Sequence, residues 1–201
     1  MLEIAKRIQA LSQAGEHYSD NQFDIERYKE LSHISAEILA ILSDEKISKI
    51  KSLFTNETGY LTPKVDIRGV VFKDDKILMV KEKSDGRCAL PGGWADIGLT
   101  PSEVVNKEVK EESGLEVIAK KILAVFDKKC HPHPPSPYHV YKIFILCEII
   151  GGKIKKGIET SEVNFFEIDH LPKLSTQRNT IFQIKTMFDL KDKPDFPAIF
   201  D

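Results

Sequence analysis

Glu108, Glu111 and Glu112 stand at i, i+3 and i+4 spacing in the run GGWADIGLTPSEVVNKEVKEESGLEV, which begins at Gly92 and ends at Val117. On an α-helix that spacing gathers three carboxylates on one face. Acids brought together repel one another unless they are protonated or share a cation. Hard oxygen donors suit Mg2+ or Mn2+, with water and phosphate oxygens completing the shell. The cluster therefore points to a divalent metal and, through it, to phosphate chemistry. The competing reading is a solvated acidic helix, supported by the i, i+4 pairs Glu103–Lys107 and Lys107–Glu111.

The helix that carries the acids has clear limits. Thr100 is a good N-cap, Pro101 suits the first helical position, and Glu103 completes a capping box. Gly114 is the expected left-handed stop. At about 100° per residue, the acids fall in the same half as Val104, Val105 and Val109. Asn106, Lys107, Lys110 and Ser113 fall on the other side. The acids are thus expected to lean toward the protein body.

Leu90-Pro91-Gly92-Gly93 precedes the helix, and paired glycines allow close backbone approach. With this turn in place the run resembles the signature of the Nudix hydrolases. That signature is a glycine, five residues, Glu, seven residues, then Arg-Glu-apolar-x-Glu-Glu-x-Gly-apolar. Gly93, Glu108, Val109, Glu111, Glu112, Gly114 and Leu115 match it. Two positions depart: Leu99 replaces the first Glu, with Asp96 nearby, and Lys107 replaces the Arg. Lysine keeps the charge but loses the bidentate fork.

The resemblance implies hydrolysis of a diphosphate that joins a nucleoside to a second group, with Glu108, Glu111 and Glu112 as metal ligands. It implies Glu108, or Glu162 with Glu159 as a weaker alternative, as the base. Arg68, Arg87, Gly92, Gly93 and Tyr138 are the expected substrate-binding residues. Guanidinium groups pair well with phosphate oxygens, although each arginine could equally serve a surface ion pair. The phrases GYLTPKVDIRGVVF and HPHPPSPYHVYK, together with a helical N-terminus, resemble the CDP-choline pyrophosphatase branch of the family. CDP-choline, giving CMP and phosphocholine, is accordingly the favoured substrate. Trp94, Tyr138 and Tyr141 are candidates for an aromatic cradle around choline, against the plainer reading of core packing. The alternatives are ADP-ribose, a nucleotide sugar, an RNA end, or a regulator that binds a nucleotide without cleaving it. Cys130, His131, His133 and His139 match no standard zinc spacing and read as a proline-stiffened loop near the substrate.

Composition narrows the partners. A net charge of −2 over 201 residues gives no bulk attraction to nucleic acid or membrane. Three scattered cysteines read as reduced thiols in a cytoplasmic protein. The opening MLEIAKRIQAL is neither a secretory signal nor a membrane span.

The chain divides by periodicity. Residues 1–62 read as a helical N-terminal domain serving dimerisation or as a lid. Asp24 caps a helix bearing Ile25, Tyr28, Leu31, Ile34, Ile38, Leu39 and Leu42, a shorter helix runs from Asp44 to Leu53, and a turn lies within Asn56–Pro63. The stripe is too small to form a strong core alone, so a homodimer is expected. Residues 63–201 read as the catalytic domain. VDIRGVVF and KILMVKEK form a hairpin about Asp74-Asp75, and Arg87–Leu90 is a short strand. Further strands follow over 116–129, 138–150 and 162–168, then a helix over Thr176–Leu190 with Ile181, Ile184 and Phe188 inward, and an extended tail. Interleaved strands and helices fit an α/β layered domain with a mixed sheet. The resemblance makes it the Nudix α/β/α sandwich.

Overall fold

The computed structural model describes residues 1–43, 46–54, 59–193 and 195–201. The expected helix start at Asp44 and the first part of the turn within Asn56–Pro63 lie outside them. Two compact units result: residues 1–63 with 135–139, and residues 64–134 with 140–201.

The first unit consists of α1 (Leu2–Tyr18), α2 (Gln22–Ser43) and α3 (Ile47–Phe54). Asn21, not Asp24, caps α2, because its Oδ1 accepts the Phe23 amide at 2.9 Å. Among the described residues its buried apolar core is Ala5, Ala36, Leu39 and Ile50, with Leu2, Ile38, Ala40 and Ile47 packed against it. Polar ties supplement it, as in the Ser35 hydroxyl donating to the Ala5 carbonyl at 2.8 Å. Of the predicted α2 stripe only Leu39 is fully buried, while Leu31, Ile34 and Leu42 stay exposed with Phe23 and Ile41.

The second unit is built on β1 (Lys64–Lys73), β2 (Lys76–Glu82), β3 (Cys88–Ala89), β4 (Gly92–Trp94), β5 (Leu115–Asp127), β6 (Val140–Gly152), β7 (Thr160–Phe166) and β8 (Ile199–Phe200). Two helices accompany them, α4 (Pro101–Ser113) and α5 (Ile181–Leu190). The main strand order is β3-β2-β1-β6-β5-β8, with β4 also pairing β1 and β7 pairing β2. β1 is parallel to β6 and antiparallel to β2 and β4, so the sheet is mixed. Asp74 and Asp75 both have positive φ, the geometry of a two-residue primed turn that suits the strand twist.

Strand alternation divides the core into two layers. Val104, Val105 and Val109 of α4 pack on Ile67, Val71, Leu78, Val80 and Ile145. Gly69 leaves room for this: a Cβ there would lie 2.6 Å from Val109 Cγ2. On the other face Ile184, Met187 and Leu190 of α5 cover Val70, Met79, Leu90, Phe126 and Phe144. This is the expected α/β/α arrangement, with a helical region before it. The last helix differs in detail. It begins at Ile181, capped by Thr180 with Gln183 in a reciprocal capping box, and Ile181 faces solvent. Gln183 takes the buried position because its side chain satisfies the Thr180 amide. Among the described residues no helix is long and apolar enough to cross a membrane.

Candidate active site

α4 is delimited as its sequence requires. The Thr100 side chain accepts from the Glu103 amide, Glu103 accepts from the Thr100 amide at 2.8 Å, and Gly114 ends the helix at φ 74. The loop after β6 is laced onto this end, with the Lys155 amide donating to Ser113 O and the Thr160 hydroxyl to Glu112 O. Ser113 is therefore buried, contrary to its angular assignment to the solvent side.

The three acids occupy three environments. Glu112 is buried, Glu108 half-buried and Glu111 exposed. Glu112 Oε2 accepts the Gly92 amide at 3.0 Å. Burial, only partly offset by the Arg68 charge and this hydrogen bond, pushes its carboxyl up to about 8. Burial also raises Glu108, against the opposing charge of Lys107. Gly93 passes directly beside Glu108, and a Cβ there would lie 3.1 Å from Oε2. Gly92 is obligatory for the turn: its φ is 141°, and a Cβ would approach Ile67 O to 2.0 Å.

Lys107 ion-pairs with Asp96 at 2.8 Å. Neither Glu108 nor Glu111 has a hydrogen-bond or ion-pair partner among the described residues. No group of three His, Cys, Asp or Glu side chains among the described residues is close enough to hold a metal by itself. The donor chemistry nevertheless fits Mg2+, which takes one or two carboxylates and fills its shell with water and substrate phosphate. Glu108 and Glu112, hard oxygen donors beside a glycine turn whose charge is only partly offset, meet that requirement.

Glu112 sets a sign for stability against pH. A carboxyl raised from 4.5 to about 8 on folding binds its proton more tightly in the native state. Its contribution is complete below the unfolded value and is lost as pH rises through the folded one. In metal-free protein, Tm should fall between these pH values, and Glu112→Gln should flatten that part of the profile. Thermal scans in chelator across the range check this, and an unchanged slope in the variant would contradict it.

Beneath the turn lies a charged cluster on the α5 face. Arg68 is 5% exposed, and its guanidinium donates to Asp66 Oδ1 at 2.7 and 3.0 Å, to Asp66 Oδ2 at 3.2 Å, and to Leu90 O at 3.2 Å. Lys142, 2% exposed, pairs with the same Asp66 from β6, its neighbour in register. Burial opposes the charge on Asp66, but Arg68 and Lys142 outweigh it and hold the carboxyl below its usual range. Burial brings Lys142 down to about 8 despite Asp66. Glu82, also buried, pairs with Arg178 at 2.9 Å, and burial raises its carboxyl further than Arg178 and Arg68 lower it. Glu82 and Glu112 both act electrostatically on Arg68.

The remaining predicted residues are dispersed. Arg87 is half-buried, its amide donates to Asp85 at 3.0 Å, and its guanidinium, whose charge acts on Asp85, makes no close ion pair among the described residues. Glu162 is exposed and ion-paired with Lys81 at 2.7 Å, and Glu159 is exposed. Tyr138 belongs to the helical unit, where its carbonyl accepts from Lys6 at 3.2 Å. Trp94 is level with Asp66 and Tyr141 with Val65, so the two rings leave opposite faces of the sheet and form no common cradle. His133 is held between Thr176 O at 2.7 Å and Gln183 at 3.1 Å, and burial lowers it to about 4. His131 pairs with Asp201 at 3.1 Å.

Sequence reasoning missed Asp66, Lys142, Glu82, Arg178 and Asn179. Asp66 and Arg68, two apart in a strand that is otherwise apolar between its terminal lysines, carried a readable signal, because they must share a face and pair there. The partners from β6 and from the segment before α5 were set by tertiary pairing alone.

Comparison with known proteins gives two domain matches. The family described as "NUDIX domain" matches residues 62–186, and that described as "UDP-X-like, N-terminal oligomerisation domain" matches residues 1–54. A Bacillus subtilis (strain 168) protein named "Putative ADP-ribose pyrophosphatase YjhB" is 49% identical over 200 residues, covering 100% of this chain and 96% of that one. A crystal structure of an ADP-ribose pyrophosphatase from Streptococcus suis is 40% identical with a TM-score of 0.64, covering 70% of this chain and 100% of that one. A crystal structure of UDP-X diphosphatase is 29% identical with a TM-score of 0.66, covering 99% of this chain and 97% of that one.

Proposed function

The chain belongs to the Nudix hydrolase family and is a pyrophosphatase, and from that premise we propose that its substrate is ADP-ribose, hydrolysed to AMP and ribose 5-phosphate. The reading rests on Glu108 and Glu112, acids held beside a glycine turn whose burial outweighs the nearby charges of Lys107 and Arg68. The names of the relatives direct the substrate: two, at 49% and 40% identity, are named for ADP-ribose. They replace CDP-choline as the favoured choice, and the absence of a shared Trp94–Tyr141 cradle agrees. The RNA-end and non-hydrolysing readings gain no support from these relatives. A UDP-linked substrate is the second reading, favoured by the full-length likeness to a UDP-X diphosphatase.

Glu108 and Glu112 would hold Mg2+ or Mn2+, with Glu111 reaching in from the exposed side of α4. The metal supplies charge neutralisation for the diphosphate and a more acidic water. Around it, the chain's own residues bind and orient. Arg87 has an uncommitted guanidinium for phosphate oxygens. Arg68, spent on Asp66 and Leu90, acts from beneath as a counter-charge to Glu112. Of Glu108 and Glu162, Glu108 is the one without an ion-pair partner among the described residues, and it would take the proton on an oxygen left off the metal, since Glu162 is tied to Lys81. A water adds to one phosphorus and loses its proton to that base, while the bridging oxygen leaves with the other phosphate. A panel of ADP-ribose, CDP-choline and UDP-sugars ranks the substrates by kcat/KM. ADP-ribose should lead, and a clear lead for any other would move the assignment.

Residues 1–62 are read as a dimerisation domain. Phe23, Leu31, Ile34, Ile41 and Leu42 form an exposed apolar stripe on α2, with Ile41 at 80% exposure. Such a stripe on a small core calls for a partner, and the domain match is described as an oligomerisation domain. Ile34→Glu with Ile41→Glu should convert a dimer to a monomer in light scattering at micromolar concentration. A wild-type monomer, or a dimer surviving both substitutions, would overturn this.

A further inference from the structure

The glycine turn owes its position to residues far along the chain. The segment Lys173–Asn179 runs beside β3: the Cys88 amide donates to Lys173 O at 2.9 Å, and the Ser175 amide to Cys88 O at 2.8 Å. Beyond Ser175 the main chain turns away, with the Arg178 and Asn179 amides both folding back onto Ser175 O. The next inward-facing donor on the turn strand is the Leu90 amide, and no backbone carbonyl remains to meet it. The Asn179 side chain does so instead, with Oδ1 accepting from Leu90 N at 2.9 Å. Asn179 is 0% exposed.

This bond completes the polar accounting of the turn. Leu90 N is held by Asn179 and Leu90 O by Arg68. Pro91 has no N–H, and its carbonyl accepts from Gly69 N at 2.8 Å. Gly92 N is then free to meet Glu112. A buried amide left without an acceptor is costly, so the strand would shift to find one. That shift would carry Gly92 away from Glu112. Asn179 Nδ2, by contrast, has no partner among the described residues. The carbonyl half of the side chain is therefore the half in use.

We propose that Asn179 is a positioning residue for the pyrophosphatase reaction, fixing the Leu90–Gly92 turn and, through the Gly92 amide, the carboxylate of Glu112. It touches neither substrate nor metal. The assignment rests on the reading of Glu112 as part of the active site, so its test has one arm that needs no turnover.

The test compares Asn179→Leu with Asn179→Asp. Leucine has a similar size and no acceptor; the aspartyl carboxyl, protonated or not, keeps an oxygen for Leu90 N. In NMR-detected hydrogen exchange, the Leu90 and Gly92 amides should lose protection in Asn179→Leu while those of β1 and β6 keep it. Asn179→Asp should retain both. With ADP-ribose and Mg2+, Asn179→Leu should lower kcat by about ten- to a hundredfold with KM within about threefold, the pattern of a lost transition-state contact. Asn179→Asp should restore most of kcat. Unchanged protection and kcat in Asn179→Leu, or equal loss in both variants, would overturn the assignment. A rise confined to KM would place Asn179 against the substrate instead. Should Asn179→Leu fail to fold, the aspartate variant decides: retention of kcat supports the role and loss removes it. If wild-type protein turns over no nucleotide, the function is at fault, and the exchange arm still decides the position.

Discussion

Glu112→Gln is expected to lower kcat for ADP-ribose by about a thousandfold or more while leaving the fold intact. The expectation follows from the site of this carboxylate. It is the most buried of the three acids, its oxygen rests on the Gly92 amide, and its carboxyl is raised to about 8 by burial. Once ionised, such a group costs stability, and a bound cation would offset that cost. Glutamine keeps the size and an oxygen for the Gly92 amide but removes the charge a metal needs. The same change at Glu111, which is exposed, should cost less. Steady-state kinetics with circular dichroism on the three Glu→Gln variants measure the order, and equal turnover in Glu112→Gln and wild type would remove this residue from the chemistry.

The second large effect is on stability. Asp66→Asn leaves Arg68 and Lys142 buried side by side without the carboxylate that both pair with, and breaking a buried pair in this way typically costs about 3–5 kcal/mol. Lys142 already titrates near 8 in the presence of Asp66, so in the variant it should shed its proton more readily. Arg68 cannot do so and keeps its charge. Urea denaturation should therefore show a large drop in midpoint. The combined variant Asp66→Leu, Arg68→Met, Lys142→Met should recover part of the loss, because it removes the three mutually paired charges together, while Glu112 and Glu82 lose the opposing charge of Arg68. A mild effect of Asp66→Asn would show that the cluster is not needed for the fold.

Local signals in the sequence translated well into structure. Thr100, Glu103 and Gly114 fixed α4 to its ends because caps act over one turn, and Asp74-Asp75 fixed a hairpin because two positive φ angles suffice to reverse the chain. The periodicity of α4 placed all three acids toward the body, which holds for Glu112 and Glu108 but not for the exposed Glu111. It erred at Ser113, which a distant loop covers, and it could not grade the three acids, because burial depends on what packs over a helix and not on its own pattern. Arg68 illustrates the same limit. Its residue type pointed to phosphate, but its strand neighbour Asp66 and the Leu90 carbonyl claim the guanidinium first. Glu82, Lys142 and Asn179 gave no sign at all, since each gains its meaning from a partner far away in sequence. Substrate identity was the least legible feature. The run from Gly92 to Val117 carries acids and glycines that would serve any diphosphate, so it holds no mark of the group beyond.

The most direct test is turnover itself. Purified protein is incubated with ADP-ribose and Mg2+, and the products are followed by phosphorus NMR, with a chelator control. The diphosphate signals should give way to AMP and ribose 5-phosphate in equal amounts, and chelation should abolish the conversion. ADP-ribose remaining intact with both Mg2+ and Mn2+, or being cleaved equally well in chelator, would contradict the account.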